Sequence, residues 1–207
     1  MSNGPFAADI TGLPRRKAEA ERVYIDKIIR IAQEVYGGFQ KREICAMKQI
    51  CGICGEKRDS ILTVDEKKIC PLCMYGDSEP ITLYPIGFVV NGQKRAARGF
   101  GLKNTDKISR IELIETQKPF MYKLEDEEML TIIYYLHKSG PVKSVFNRGL
   151  DGKKTGVFAS RTPHRLSRLA IQDVHLRDVR GTTLYVEGLD AINGSPVLDI
   201  KLCWSRA

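Results

Sequence analysis

The chain has 207 residues and a mass of 23.3 kDa, room for one ordinary domain and a smaller appendage. Hydrophobic residues at 43% and charged residues at 28% are the balance of a globular protein with a buried core, which excludes whole-chain disorder and a small disulfide framework. The longest apolar stretch, Met129 to Leu136, falls well short of the ~20 residues a bilayer-crossing helix needs, and the opening MSNGPFAADI lacks a basic start and an apolar middle, so no membrane association and a cytoplasmic protein are expected. Net charge is +8 and is unevenly spread: 13 basic and 12 acidic residues up to Pro80, against 20 and 13 from Ile81 onward. A field of that sign over the C-terminal part suits a polyanion such as RNA, or serves solubility alone.

In chain order, the first element is an amphipathic helix from Arg16 to Tyr36. Its apolar face is Tyr24, Ile28, Ile31 and Val35, widened by Ile25, Ile29 and Ala32; Arg22, Lys27, Arg30 and Glu34 lie opposite, and Gly37-Gly38 ends it. It is expected to pack on its own domain or on a second copy of the chain, with binding to a membrane surface as the alternative. Next comes a stretch dense in cysteine and turn residues, Cys45 to Asp77, closed by a linker at Asp77-Ser78-Glu79-Pro80. From there the chain reads as short strands: Leu83–Val90, Ile108–Ile114, Thr131–Leu136, Thr155–Ser160, Ala170–Leu176, Thr183–Glu187 and Val197–Leu202. Only Lys123–Met129 looks helical among them. Alternation such as Leu184-Tyr185-Val186-Glu187 fits sheets with one buried face. The expected class is α+β, mainly an antiparallel β-barrel, with a helix at 1–40, a cysteine module at 41–79 and the barrel at 80–207.

Cys51-Gly52-Ile53-Cys54 and Cys70-Pro71-Leu72-Cys73 are two C-x2-C pairs separated by 15 residues, the spacing of a tetrahedral metal site. Such turns let both thiolates reach one ion at about 2.3 Å, and in so short a module metal binding substitutes for an apolar core. A closed shell of four thiolates leaves no open position, so a structural role is expected, with zinc as the ion and iron as the alternative; a redox thiol pair is a weaker third reading. Cys45 and Cys203 stand outside this spacing and read as unreactive thiols.

The segment Gly156-Val157-Phe158-Ala159-Ser160-Arg161-Thr162-Pro163-His164-Arg165 is followed by Val186-Glu187-Gly188-Leu189-Asp190 and by Asn193-Gly194-Ser195-Pro196-Val197-Leu198-Asp199-Ile200-Lys201. Together they resemble the TsaA-like (TrmO) family. Pro85-Ile86-Gly87-Phe88-Val89, Ile111-Glu112-Leu113 and Ile132-Ile133-Tyr134-Tyr135-Leu136-His137 agree with its opening and middle strands, so the resemblance covers about residues 81 to 201 and leaves the cysteine module outside. It implies a small β-barrel that binds S-adenosyl-L-methionine, works as a homodimer and methylates N6 of a threonylcarbamoylated adenosine beside the tRNA anticodon. It further implies that Leu136, His137, Arg161, Ile171, Asp190, Ala191, Ile192 and Asn193 line the cofactor site. The chain departs from the family pattern at Arg165-Leu166-Ser167-Arg168-Leu169-Ala170, where the usual R-P-N-P-I-G is missing, in its last residues, and at Asn193, where an Asp is usual.

Methyl transfer from a sulfonium is an in-line displacement, which asks the protein to align acceptor, methyl and leaving sulfur and needs no nucleophilic side chain. An amide-like N6 is a poor nucleophile, so an acceptor for its proton helps; Asp190 is the catalytic candidate, the competing reading being a carboxylate that caps turn amides. Around it, His137 reads either as a polar tip closing an apolar strand or as a cofactor contact. Arg148, Lys153, Lys154, Arg161, Arg165 and Arg168 against the single Asp151 make 148–168 the densest basic stretch. Arg148, Lys153, Lys154, Arg165 and Arg168 are the candidate RNA contacts, with His164 on the same anion-facing surface and Phe100, Phe146 and Phe158 available for stacking or for the core. Gly99-Phe100-Gly101 lacks the context of a phosphate loop. The leading expectation is a methyltransferase acting on tRNA. The alternatives are the same chemistry on a non-tRNA acceptor, and a non-catalytic zinc-containing protein that binds the cofactor or RNA.

Overall fold

The computed structural model describes residues 48–94, 107–149 and 151–203. The expected helix at Arg16–Tyr36, together with Cys45 and Phe100, lies outside the described residues. Residues Ala46–Ala207 group as one compact unit.

Twelve short strands follow one another along the described chain. β1 (Gln49–Ile50) pairs with β2 (Lys57–Arg58) and β3 (Leu62–Val64) with β4 (Lys67–Ile69), and the short helix α1 (Pro71–Tyr75) closes this first part. Six later strands form a closed antiparallel barrel: β5 (Gly87–Val90), β6 (Ile108–Leu113), β7 (Met129–Tyr135), β10 (Leu169–Arg180), β11 (Thr183–Glu187) and β12 (Pro196–Leu202). The order around it is β10-β11-β6-β5-β12-β7, with β7 returning to β10. A small hairpin, β8 (Val145–Asn147) with β9 (Lys154–Gly156), stands outside the barrel.

Period-two sequence produces this core directly. Leu130, Ile132 and Tyr134 of β7, Ile111 and Leu113 of β6, Leu184 and Val186 of β11 and Val174 of β10 are buried together with Val89 and Val197, while the residues between them stay partly exposed. Closing six strands requires strong local curvature. Register shifts at Leu176/Asp178 in β10 and at Val197/Asp199 in β12 supply it, as bulges do in small barrels. β5 and β6 also approach closely at Gly87, where an added Cβ would lie 2.6 Å from the Glu112 carbonyl oxygen and 2.8 Å from Leu113 Cα.

Three expectations change in detail. Lys123–Met129 is not a helix: Lys123 is left-handed (φ 61°), a single 3-10 turn covers Leu124–Asp126, and Met129 already begins β7. Thr155–Ser160 is a strand only to Gly156, after which Val157–Ala159 form another 3-10 turn. Of Leu83–Val90, only Gly87–Val90 pairs as strand. Among the described residues no helix is long and apolar enough to cross a membrane.

Candidate functional site

One rim of the barrel collects the ends of β5, β7 and β11 and the starts of β6, β10 and β12, because antiparallel neighbours bring alternate strand ends to the same edge. Two sequence-distant pieces meet there. The end of β7 carries Leu136 and His137, and the β11–β12 connection carries Asp190–Asn193. Ser195 Oγ lies 3.4 Å from His137 Nδ1, and the Tyr134 hydroxyl donates to the Asp190 carbonyl at 3.3 Å.

The connection is held from several sides. Gln172 on β10 accepts the Asp190 amide at 2.9 Å with Oε1, and its Nε2 donates to the Gly188 carbonyl. Gln93 Nε2 donates to Asp190 Oδ1 at 3.0 Å, and Asn193 donates its backbone N–H to the Gln93 carbonyl at 2.8 Å. Asn91 completes the clasp: its backbone N–H donates to Asn193 Oδ1 at 2.9 Å and its Nδ2 to the Ala191 carbonyl at 2.9 Å and to Ser109 Oγ at 3.0 Å. Here the protein fixes these groups, which orients the Asp190 carboxylate before any ligand arrives.

His137 is half-buried, and its Nε2 is buried with no hydrogen-bond partner among the described residues. Burial, reinforced by Lys138, holds the imidazole below its ordinary value and so favours the neutral ring. Tyr134 is pushed well above the usual phenol range, first by burial and then by the nearby Asp190 charge, so it serves as a hydroxyl donor. A buried ring nitrogen without a partner, beside a pre-oriented turn, fits a polar ligand at this rim.

Ile171 and Arg161, the remaining residues of the expected cofactor set, are not part of this clasp. Ile171 is the third residue of β10, paired with Ile133 and 58% exposed, with its side chain on the face opposite Ala170 and Gln172. Arg161 is exposed in the loop after Val157–Ala159. Gln172, Asn91, Gln93, Tyr134 and Ser195 are not in the expected site set, although Tyr134 and Ser195 lie within the motifs that carry the family resemblance. A further signal is Gln172, a polar residue on the β10 face that otherwise carries Ala170 and Val174.

The candidate RNA contacts divide. Lys153 and Lys154 are exposed. Arg148 is bound to Asp151 through Nε at 2.9 Å and a second contact through Nη2. Arg165 donates Nε to the Thr162 carbonyl at 3.0 Å and Nη2 to the carbonyls of Val157 (3.2 Å) and Ser160, so its guanidinium knots the loop. Arg168 adopts φ 52°, and its carbonyl accepts the Leu136 N–H at 2.8 Å, tying this loop to the rim.

The four cysteines converge as their spacing required. Their sulfurs all lie within 4.8 Å of one another, with Cys54 Sγ 3.9 Å from Cys70 Sγ. Four sulfurs around a tetrahedral ion at about 2.3 Å are separated by about 3.8 Å, so the donor set fits a metal ion. Cys51 Sγ accepts the amides of Ile53 (3.4 Å) and Cys70 (3.3 Å). Amides of Cys54, Cys70 and Ile53 lower the Cys51 thiol to about 6, whereas the adjoining thiols, Cys70 first, raise Cys73 to about 12. The first knuckle is closed by Gly55 at φ 76°, its N–H donating to the Cys51 carbonyl at 3.0 Å.

The family described as tRNA-methyltransferase O N-terminal domain matches residues 99–206. The mouse protein named tRNA (adenine(37)-N6)-methyltransferase is 40% identical over 81 residues, which is 38% of this chain and 19% of that protein. An Archaeoglobus fulgidus protein named S-adenosyl-L-methionine-binding protein is 29% identical over 97 residues, 47% of this chain and 70% of that one. The crystal structure of TrmO from Pseudomonas aeruginosa aligns at a TM-score of 0.49 and 25% identity, covering 61% of this chain and 57% of that chain. The chain thus spans about a fifth of the length of the mammalian relative it matches.

Proposed function

The chain belongs to the tRNA-methyltransferase O N-terminal domain family, and from that membership we propose that it transfers the methyl group of S-adenosyl-L-methionine to N6 of a threonylcarbamoylated adenosine in tRNA. The observation that carries the reading is the rim itself. Within the family-matched segment, the Asp190–Asn193 turn is fixed against the end of β7, beside a buried His137 Nε2 that has no partner among the described residues.

Leu136, His137, Arg161, Ile171 and the Asp190–Asn193 turn are the residues that would hold the cofactor. When bound, it supplies an activated methyl group on a sulfonium. His137, kept neutral by burial, presents a ring nitrogen to a polar group of the ligand without adding a second positive charge beside a cation. Asp190 takes the N6 proton as the nitrogen develops charge, and Gln172 and Gln93 keep its backbone and carboxylate from turning away. Tyr134 supports the turn from beneath by donating to the Asp190 carbonyl.

The four-cysteine site holds zinc in a structural role. Four thiolates leave no open coordination position, and the amides aimed at Cys51 stabilise the ionised sulfur that a metal requires. Lys153, Lys154 and Arg168 face the RNA, with Arg148 and Arg165 shaping the loops that present them. The working form is a cytoplasmic homodimer, which sedimentation of the purified chain would test.

Titration calorimetry of the full chain with S-adenosyl-L-methionine tests the cofactor assignment. Measurable heat is expected, with affinity at least about tenfold weaker in Arg161→Ala, the loss of one charge-assisted contact. Absence of heat with the unmutated protein would overturn it.

A further inference from the structure

Outside the barrel rim, a groove of about 500 Å3 is lined by Lys143, Val145, Phe146, Asn147, Lys154 and His164. None of these belongs to the cofactor set; Lys154 is among the expected RNA contacts, with His164 expected on the same anion-facing surface and Phe146 available for stacking or for the core. We propose that this groove binds unpaired nucleotides of the RNA substrate, with Lys143 and Lys154 on phosphates and Phe146 and His164 against a base, and that the cysteine module is the brace that shapes it. The inference rests on the reading of the chain as an enzyme of RNA, and it names the surface that receives the strand.

The wall of the groove is built rather than incidental. His164 is pinned at both ends: its Nδ1 lies 2.9 Å from the Pro141 carbonyl and its own carbonyl accepts the Lys143 N–H at 3.1 Å. Because a carbonyl only accepts, the proton sits on Nδ1, and Nε2 is left as the ring's other polar atom. Phe146 lies with its ring centroid 6.3 Å from that of His164 and tilted by 57°. Two half-buried rings between two exposed lysines match a single strand, whose bases have free faces and whose phosphates repeat alongside. A duplex presents no such faces. Two arginines of the adjoining stretch do not compete for this role, since Arg148 is held by Asp151 and Arg165 by backbone carbonyls.

The brace is the tip of the β3–β4 hairpin. Asp65 and Glu66 form its two-residue turn with both φ values positive, 46° and 66°, an unusual conformation for residues other than glycine. That turn places the Asp65 carboxylate on Ser144, accepting its N–H at 2.9 Å and its hydroxyl. The Asp65 N–H donates to the Val142 carbonyl at 3.1 Å, and Val64 bridges Val142 in parallel. Ser144 lies between Lys143 and Val145 of the groove, so the hairpin that joins the two cysteine knuckles also sets the groove's backbone.

The test uses the full, metal-loaded chain and a fluorescein-labelled oligouridylate of about twelve nucleotides, within the span of single-strand binding sites. The double variant Lys143→Ala/Lys154→Ala is expected to bind about tenfold more weakly, with the salt slope reduced by about 1.4, at about 0.7 per phosphate for each of two lysines. Phe146→Leu is expected to weaken binding severalfold without changing that slope. Asp65→Ala is expected to weaken RNA binding while metal stays at one ion per chain. Unchanged RNA affinity in the double variant, or tighter binding of a duplex than of the single strand, overturns the inference. Calorimetry with S-adenosyl-L-methionine separates the two readings: heat retained in the double variant leaves the rim assignment standing whatever the groove does. Lysine-dependent RNA binding without that heat removes the methyl-transfer reading but not the groove.

Discussion

Gln172 and Asp190, 18 positions apart, are joined by a hydrogen bond of 2.9 Å from the Asp190 backbone N–H to the Gln172 side-chain carbonyl. The same glutamine donates to Gly188, so a single side chain on β10 sets both ends of the short segment that carries the proposed proton acceptor. Gln172→Leu keeps the approximate volume and removes both contacts. The expected cost is about 1 kcal/mol of stability, the net worth of a typical hydrogen bond between half-buried groups. A loss of methyl transfer greater than the change in cofactor affinity should accompany it; denaturant melts and transfer assays on one preparation measure both.

Removing one thiolate should act on the module and leave the barrel folded. Cys51→Ser is expected to lower bound metal from about one ion per chain to a small fraction, measured by elemental analysis, and to release the amide protection of Gly52, Gly55 and Cys70 in hydrogen exchange. Protection of Ile111, Ile132 and Leu184, all fully buried in the barrel, should persist.

Gly87 offers a test of barrel closure. An added methyl would meet backbone on β6 rather than a movable side-chain end alone, so Gly87→Ala should cost about 1–3 kcal/mol by overpacking. Gly152, at φ 71° but with open space around it, should respond through backbone strain alone and by less. Chemical denaturation of the two variants compares them directly.

Acid should weaken the fold through His137. Its native value lies below the ordinary value of about 6.5, so the unfolded chain binds the proton more readily. The contribution is fully present above about pH 6.5 and is lost as pH falls through the depressed native value. His137→Gln should therefore flatten the change in melting temperature between about pH 7 and pH 5.

Much of this architecture was legible because it rests on local repetition. Alternation in Thr183–Glu187 marks a strand with one buried face, and the two C-x2-C pairs mark convergence of four sulfurs; Val197–Leu202 is a strand too, but its burial fades along its length rather than alternating. Local pattern failed where a distant group decided the backbone. Val157-Phe158-Ala159 reads as a strand but turns, and Arg165 holds the carbonyls of Val157 and Ser160 at that turn. Lys123–Met129 has helix-favouring residues, yet Lys123 is left-handed and Glu127 is already extended, so only the 3-10 turn Leu124–Asp126 forms before β7. At the rim, Asp190 was visible in a recognisable motif, whereas Asn91 and Gln93 sit about 100 positions away and are joined to it only by closure of the barrel.

The most direct test of methyl transfer is mass spectrometry of tRNA nucleosides after incubation of the full chain with S-adenosyl-L-methionine carrying an isotopically labelled methyl group. The account predicts one labelled methyl on N6 of a threonylcarbamoylated adenosine, falling about a hundredfold in Asp190→Ala, a typical loss for a general base, while cofactor affinity changes little. Unlabelled tRNA after incubation with protein that binds the donor, or transfer undiminished in Asp190→Ala, would contradict it.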